Sequence, residues 1–249
     1  MIISHARKFI FVKSRKTGGT SVEIGLSKYV GSEDVVTPIT PRDELIRMKI
    51  GTPCQNFSAS RDIEEKYIED LRNGKIDYLP KWLKQEQVFF NHMTYSEIKK
   101  IIPSEVEAYH TLSIERHPYE KAVSLANFLI GYKDYVAGRL LEAKTDDLRE
   151  KISELLENGI MREKIRNWDV YTDEGVIRLT TVLRFEHLQA DFEAFCKRLG
   201  VPDQAPFLPK TKVGHRDKTL SVHEILSVSQ KAAIREICAE EFECFGYEA

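Results

Sequence analysis

Two short stretches concentrate the residues able to handle an anion. The first is Lys13-Ser-Arg-Lys-Thr-Gly-Gly-Thr-Ser21, close to the start of the chain. Its paired glycines let backbone N–H groups converge on a concavity. A helix beginning there adds about half a positive charge at its N-terminus, which suits a bound anion. Thr20 and Ser21 bring hydroxyl donors, and Lys13, Arg15 and Lys16 bring cations. The plain alternative is a tight strand-to-helix turn with a solvated basic rim. The residue order excludes a Walker A loop, in which the lysine follows the second glycine; here Lys16 precedes both Gly18 and Gly19.

The second stretch is Ser113-Ile-Glu-Arg-His-Pro-Tyr-Glu-Lys-Ala-Val-Ser124. An arginine at a strand's end can fork onto a phosphate. Pro118 suits the first turn of a helix, and Ser124 then lies under two turns along it. Alone, an Arg-x-Pro pair is more often a helix start than a site; its weight comes from the first loop upstream. His92 follows Gln87-Val-Phe-Phe-Asn91, an apolar run read as a strand. A lone histidine there is often structural, yet the C-terminal edge of a parallel sheet is where ligands bind. An imidazole titrating near pH 6.5 makes it the histidine best suited to act as a base. Glu23 and Glu115 are rival bases, and Arg184 and Glu186 read as a structural pair. His110, His187, His215 and His223 have no partner motif.

These residues need elements to hold them. Lys8-Phe-Ile-Phe-Val-Lys13 reads as a buried strand. Val22, Leu26, Tyr29 and Val30 form a helical stripe ending at Gly31. A charged helix is predicted over Arg61 to Arg72, and Tyr109 to Glu115 is a further strand. The helix opened by Pro118 carries Ala122, Val123, Leu125, Ala126 and Leu129. Charged helices are expected at Tyr132–Ala143 and Asp146–Glu157, an excursion over residues 131–170 that is read as a scaffold or as a wall of the acceptor site. Asp173-Glu-Gly175 is a hairpin turn, Thr180 to Phe185 a strand, and Leu188 to Leu199 a helix stopped by Gly200. Ser221 and Ser227 each open a capping box. Strands alternating with helices argue for a largely parallel sheet with crossover helices in one domain, residues 1–249.

Composition narrows the classes further. With 249 residues, 42% hydrophobic and 31% charged, the chain reads as a folded globule. A net charge of −2 argues against a nucleic-acid-coating protein, so any anion site is local. No apolar run approaches the roughly 18 residues of a membrane span, and no secretory signal is evident. Cys54, Cys196, Cys238 and Cys244 are scattered, with neither zinc spacing nor a disulfide framework, so a reducing cytoplasm is expected.

The order Lys16-Thr-Gly-Gly-Thr-Ser21 resembles the 5′-phosphosulfate loop of sulfotransferases that use 3′-phosphoadenosine 5′-phosphosulfate (PAPS). Arg116, with Pro118 and Ser124 at the family's spacing, resembles its 3′-phosphate motif. Asn91-His-Met-Thr-Tyr95 lies where the carbohydrate-type enzymes carry an active-site histidine. Leu183-Arg-Phe-Glu-His-Leu-Gln-Ala-Asp-Phe192 and Lys210-Thr-Lys-Val-Gly-His-Arg216 resemble late family segments. The likeness runs from about residue 8 to the C-terminus and is nearest the carbohydrate 2-O-type and bacterial branch. It departs at Arg15, where a proline is common, at His117, where an aspartate is common, and in lacking an anchor before the domain, which argues against a Golgi enzyme.

The resemblance implies an α/β fold with a P-loop NTPase-like central parallel sheet flanked by helices, with a helical insertion. It implies PAPS as donor, PAP as product, no metal, and a carbohydrate or small hydroxylated acceptor. Lys16 and His92 are the implied catalytic pair: Lys16 neutralises the oxygen bridging phosphorus and sulfur, and His92 takes the acceptor's proton. Arg15, Thr17, Gly18, Gly19, Thr20 and Ser21 form the 5′ end of the donor site. Arg116 and Ser124 hold the 3′-phosphate, with Lys212 or Arg216 closing a late loop. The other readings are a P-loop kinase, which this chain would have to build without a Walker A loop, and a nucleotide-binding protein without catalysis.

Overall fold

The computed structural model describes residues 1–137, 139, 143–201, 207–209 and 221–248. Strands β1 (Ile2–Ser4) and β2 (Phe9–Phe11) are followed by α1 (Gly19–Leu26), β3 (Val35–Val36), α2 (Pro41–Ile50), α3 (Arg61–Arg72), α4 (Lys81–Gln85) and α5 (Tyr95–Lys99). Then come β4 (His110–Glu115), α6 (Pro118–Val136), α7 (Thr145–Glu157), α8 (Ile160–Ile165) and α9 (Trp168–Tyr171). The chain continues through β5 (Thr172–Asp173), β6 (Val176–Ile177), β7 (Thr181–Arg184), α10 (Leu188–Arg198), α11 (Val222–Ile225), α12 (Val228–Ile237) and α13 (Ala239–Phe245). These elements form two compact units. One comprises Met1–Ser14, Gly18–Ile114 and Val170–Thr211, the other Arg15–Thr17, Glu115–Asp169 and Lys212–Ala249.

The first unit holds a five-stranded sheet in the order β3-β1-β2-β4-β7. β2 runs parallel to β4, with Phe9 opposite His110 and Phe11 opposite Leu112. β1 is antiparallel to both β2 and β3. The sheet is therefore mixed, and the largely parallel sheet expected from alternating strands and helices is corrected. The reason is local: Ser4 pairs with Phe9, and so short a link allows a hairpin but not a crossover. Lys8, at φ 52°, turns the chain there.

Phe9, Phe11 and Leu112 from the sheet meet Val22 and Leu26 of α1 and Phe192 and Phe195 of α10 in one buried core. Val22 and Leu26 are four apart, so they share the face of α1 that packs inward. Each such side chain contributes roughly 1.5–3 kcal/mol on burial, which fixes where α1 begins relative to β2. The run Gln87–Asn91, expected to be a strand, is not one. The Val88 and Phe89 amides both donate to the Phe57 carbonyl, and two donors on one acceptor do not make a ladder. Only an isolated bridge, Ser58 to Gln87, remains.

The second unit is helical. Tyr119, Ala122, Leu125 and Ala126 of α6 pack with Leu148, Ile152 and Leu155 of α7, Ile165 of α8, Ile225 of α11 and Ile234 of α12. Residues 132–136, expected to open a separate helix, are the last turn and a half of α6; residues 138 and 140–142 lie outside the described part. α7 occupies nearly the span expected for the second charged helix. Among the described residues no helix is long and apolar enough to cross a membrane.

Candidate functional site

The loop between β2 and α1 carries an unusual pattern of backbone angles. Lys16 sits at φ 62° and Gly18 at φ 81°, while Thr17 between them is not left-handed. Two left-handed residues one apart bend the loop sharply; where such residues alternate with right-handed ones, successive N–H groups face one side and bind anions. Gly18 caps α1 and has no side chain with which to satisfy the helix's first N–H groups. A Cβ on Gly18 would come within 3.1 Å of the Phe185 ring, and one on Gly19 within 3.0 Å of Lys13 Cγ. Gly18 needs glycine for its angle, whereas a Cβ on Gly19 would make the Lys13 side chain give by a few tenths of an ångström. Thr17 and Thr20 are buried, and Arg15, Lys16 and Ser21 are half-buried.

Within the second unit, Arg116 stands at the junction of β4 and α6. Its Nη1 donates to the Lys16 carbonyl at 3.4 Å, and its Nη2 to Glu120 Oε2 at 2.9 Å. Glu120, Ser124 and Phe128 follow at four-residue steps and so lie along one face of α6. The far end of that face meets the same loop, because the Lys16 ammonium lies 4.2 Å from the Phe128 ring centroid. A cation–π contact of this kind is worth about 0.5–2 kcal/mol. Ser124 is therefore bracketed by Arg116 on one side and Lys16 on the other. The helix is well started: His117 Nδ1 accepts from the Tyr119 amide at 3.2 Å, and His117 Nε2 donates to the Glu248 carbonyl at 2.9 Å. His117 thus serves as a cap and tethers the C-terminal segment.

The backbone of Arg15 is gripped by Asn167, whose Oδ1 accepts from the Arg15 amide at 2.8 Å and whose Nδ2 donates to the Arg15 carbonyl at 3.0 Å. Nothing in the sequence marks Asn167, which lies in a charged stretch without a motif. Below it, Lys121 Nζ sits 2.7 Å from Glu115 Oε1 and 3.7 Å from Glu241 Oε1, with all three side chains fully buried. Burial pushes the Glu241 carboxyl above the usual carboxylate range, and Lys121 pulls against that shift. For Lys121, burial works to lower the ammonium, but Glu115 and its neighbours outweigh it and hold the pKa up. Phe128 had a findable signal, the four-residue spacing that begins at Arg116.

In the first unit His92 occupies the turn before α5, at φ 64°. It is not at a strand end, since Gln87–Asn91 forms no strand. Its Nδ1 donates to the Lys13 carbonyl at 2.9 Å. A neutral imidazole that donates from Nδ1 carries its lone pair on Nε2, the tautomer a general base needs; this tautomer is assigned from the carbonyl acceptor. The rival bases are committed elsewhere. Glu23 is fully buried, with Lys13 Nζ at 2.5 Å and Arg47 at 3.3 Å. Burial would raise its carboxyl, but Lys13, the Met1 ammonium and Arg47 together hold it far below the usual range. Glu115 belongs to the buried pair with Lys121. Lys13, one of the three cations expected at the loop, is thus spent on Glu23.

Lys212 and Arg216 lie outside the described residues. Arg184 Nε is 3.9 Å from Glu186, as a structural pair would be. Among the described residues no group of three His, Cys, Asp or Glu side chains is placed to hold a metal ion. No family model, no curated protein and no solved structure matches the chain.

Proposed function

We propose that this protein is a PAPS-dependent sulfotransferase that moves a sulfuryl group onto a hydroxyl acceptor, a carbohydrate or small hydroxylated metabolite. One observation carries the reading. The Arg116 guanidinium donates to the Lys16 carbonyl, although the two residues are 100 apart in the chain. The donor bears anions at two ends, and that bond joins one residue of the first anion-type motif to one residue of the second. The left-handed Lys16 and Gly18 support the 5′ end of the reading, and the Arg116–Ser124 face of α6 supports the 3′ end. The strand–loop–helix from β2 to α1 is the part of the fold that a P-loop-like architecture would use.

The chemistry asks three things of these residues. The acceptor oxygen forms a bond to sulfur as the bond from sulfur to the phosphate oxygen breaks, and PAP leaves. Negative charge grows on that bridging oxygen, and Lys16, a half-buried cation, would stabilise it more in the transition state than before. Backbone N–H groups from Lys16 to Thr20, with the Thr20 and Ser21 hydroxyls, would hold the 5′-phosphate, with Arg15 and Thr17 in the same loop; the Ser21 N–H itself donates to the Gly18 carbonyl at 3.0 Å. Arg116 and Ser124 would hold the 3′-phosphate. His92 Nε2 would accept the acceptor's proton. By analogy with phosphoryl transfer, positioning and charge stabilisation can carry such a step.

A cytoplasmic setting belongs to the same proposal, and its support is that Cys54, Cys196, Cys238 and Cys244 are all free thiols. A screen of hydroxylated acceptors with sulfur-labelled PAPS tests the activity. Label in an acceptor, lost in Lys16→Ala, is the expected result. Transfer of phosphoryl from ATP with Mg²⁺, and none from PAPS, would replace this reading with a kinase.

A further inference from the structure

The geometry points to Asn167 as a positioning residue that sets the conformation of the donor loop, with Glu241, Lys121 and Glu115 tying it to Arg116. This inference rests on the donor-site reading above.

Asn167 is fully buried. Its side-chain amide takes both backbone groups of a single residue, accepting from the Arg15 N–H at 2.8 Å and donating to the Arg15 carbonyl at 3.0 Å. A side chain that pairs with both groups of one residue mimics a strand neighbour and leaves that residue little freedom. The next residue, Lys16, is held at φ 62°. A side chain with a Cβ adopts that region only where its surroundings impose it. Asn167 is the surrounding group seen to grip the adjoining peptide on both sides.

Asn167 is itself anchored. Its N–H and that of Trp168 both donate to Glu241 Oε1, at 2.7 and 3.1 Å. The same oxygen faces Lys121 Nζ, which pairs with Glu115 Oε1 at 2.7 Å. Glu115 Oε1 in turn accepts the Arg116 N–H at 2.9 Å. One continuous buried chain thus runs from the backbone of Arg15 to the backbone of Arg116. The backbones of Arg15 and Arg116 therefore start from one framework, and loss of the Asn167 amide breaks it only at the Arg15 end, because Glu241 holds the backbone N–H groups of Asn167 and Trp168. A buried network of this kind is strongly cooperative, because a lost partner leaves a desolvated polar group.

The test compares wild-type protein with Asn167→Ala. Hydrogen exchange reads the clamp without any ligand: the Arg15 amide is expected to be protected in wild type and to lose that protection in the variant. Rapid exchange at Arg15 in wild type would overturn the inference, and this arm needs no variant to fold. Calorimetry then reads its consequence. PAP and adenosine 5′-phosphate are expected to weaken by roughly tenfold in the variant, while adenosine 3′-phosphate keeps its affinity, because the clamp acts on the 5′ loop. Equal weakening of all three would mark Asn167 as a general structural residue and overturn its positioning role. Wild-type protein that binds none of the three would instead remove the donor-site reading, and exchange at Arg15 would still decide the clamp.

Discussion

Replacing Lys121 with methionine should convert a compensated buried triad into a liability that depends on pH. Lys121, Glu115 and Glu241 are fully buried, with the ammonium 2.7 Å from one carboxylate and 3.7 Å from the other. Methionine nearly fills the same volume, so the loss is one of charge and not of packing. Removing one partner of a buried ion pair costs about 3–5 kcal/mol, because its carboxylates stay desolvated without a cation. The pH dependence follows from Glu241, whose carboxyl burial raises above its ordinary 4.5 and Lys121 draws back down. A carboxyl with a raised folded pKa binds its proton more tightly in the native state. Its contribution is fully present below the unfolded pKa and is lost as pH rises through the folded pKa. Without Lys121 that folded pKa climbs further. The deficit of Lys121→Met should therefore be largest near neutrality and shrink as pH falls toward about 5. Urea denaturation at the two pH values measures this, with the slope checked for constancy. A triple variant, Lys121→Met with Glu115→Gln and Glu241→Gln, should regain most of the loss. A deficit below about 1 kcal/mol, well under the buried-pair range, or one equal at both pH values would show that Lys121 does not compensate the buried carboxylates.

Further outcomes follow from the same geometry. Gly18→Ala must adopt φ 81° with its Cβ 3.1 Å from Phe185. The backbone alone should cost about 1–2 kcal/mol, seen as a lower thermal midpoint together with weaker PAP binding; an unchanged midpoint would show that the loop angle is not required. Arg116→Ala should weaken PAP by about 10- to 100-fold and adenosine 5′-phosphosulfate far less, since charge-assisted bonds to a phosphate are worth roughly 1.5–3 kcal/mol. Equal losses for the two ligands would show that Arg116 does not read the 3′-phosphate. Lys16→Ala should lower turnover with only a modest change in PAP affinity, whereas His92→Ala should impair the acceptor step and leave PAP binding intact. Full turnover in His92→Ala would take the base role away from it.

Local chemistry in the sequence carried the elements that are stabilised locally. α3 spans the residues expected for it, Arg61–Arg72. The turn at Asp173-Glu-Gly175 closes β5 on β6, with Glu174 at φ 53° and Gly175 at φ 76°, the left-handed pair that a tight hairpin turn needs. Ser221 and Ser227 form the capping boxes their spacing suggests. α10 ends at Arg198, shortly before the left-handed Gly200. Features set by distant partners were not legible. Gln87–Asn91 has the apolar content of a strand, but its amides converge on Phe57. The direction of β1 depended on the length of its link to β2, which an alternation of strands and helices does not register. At the site, glycines, cations and the Arg-x-Pro spacing stood out because such residue types carry their chemistry wherever they fold. Asn167 did not, since its role exists only when residue 15 is brought to it. Lys121 and Glu241 belong to no spacing pattern, and only the fold buries them together.

The proposed function requires Lys16–Ser21 and Arg116–Ser124 each to hold a phosphate of the donor, with protein cations in place of a metal. Calorimetric titration of PAP into the full chain, with EDTA present throughout, tests it most directly. One site per chain with micromolar affinity is expected, unaffected by the chelator and weakened by about 10- to 100-fold in Arg116→Ala. No heat with PAP, alongside clear Mg²⁺-dependent binding of ATP, would contradict it.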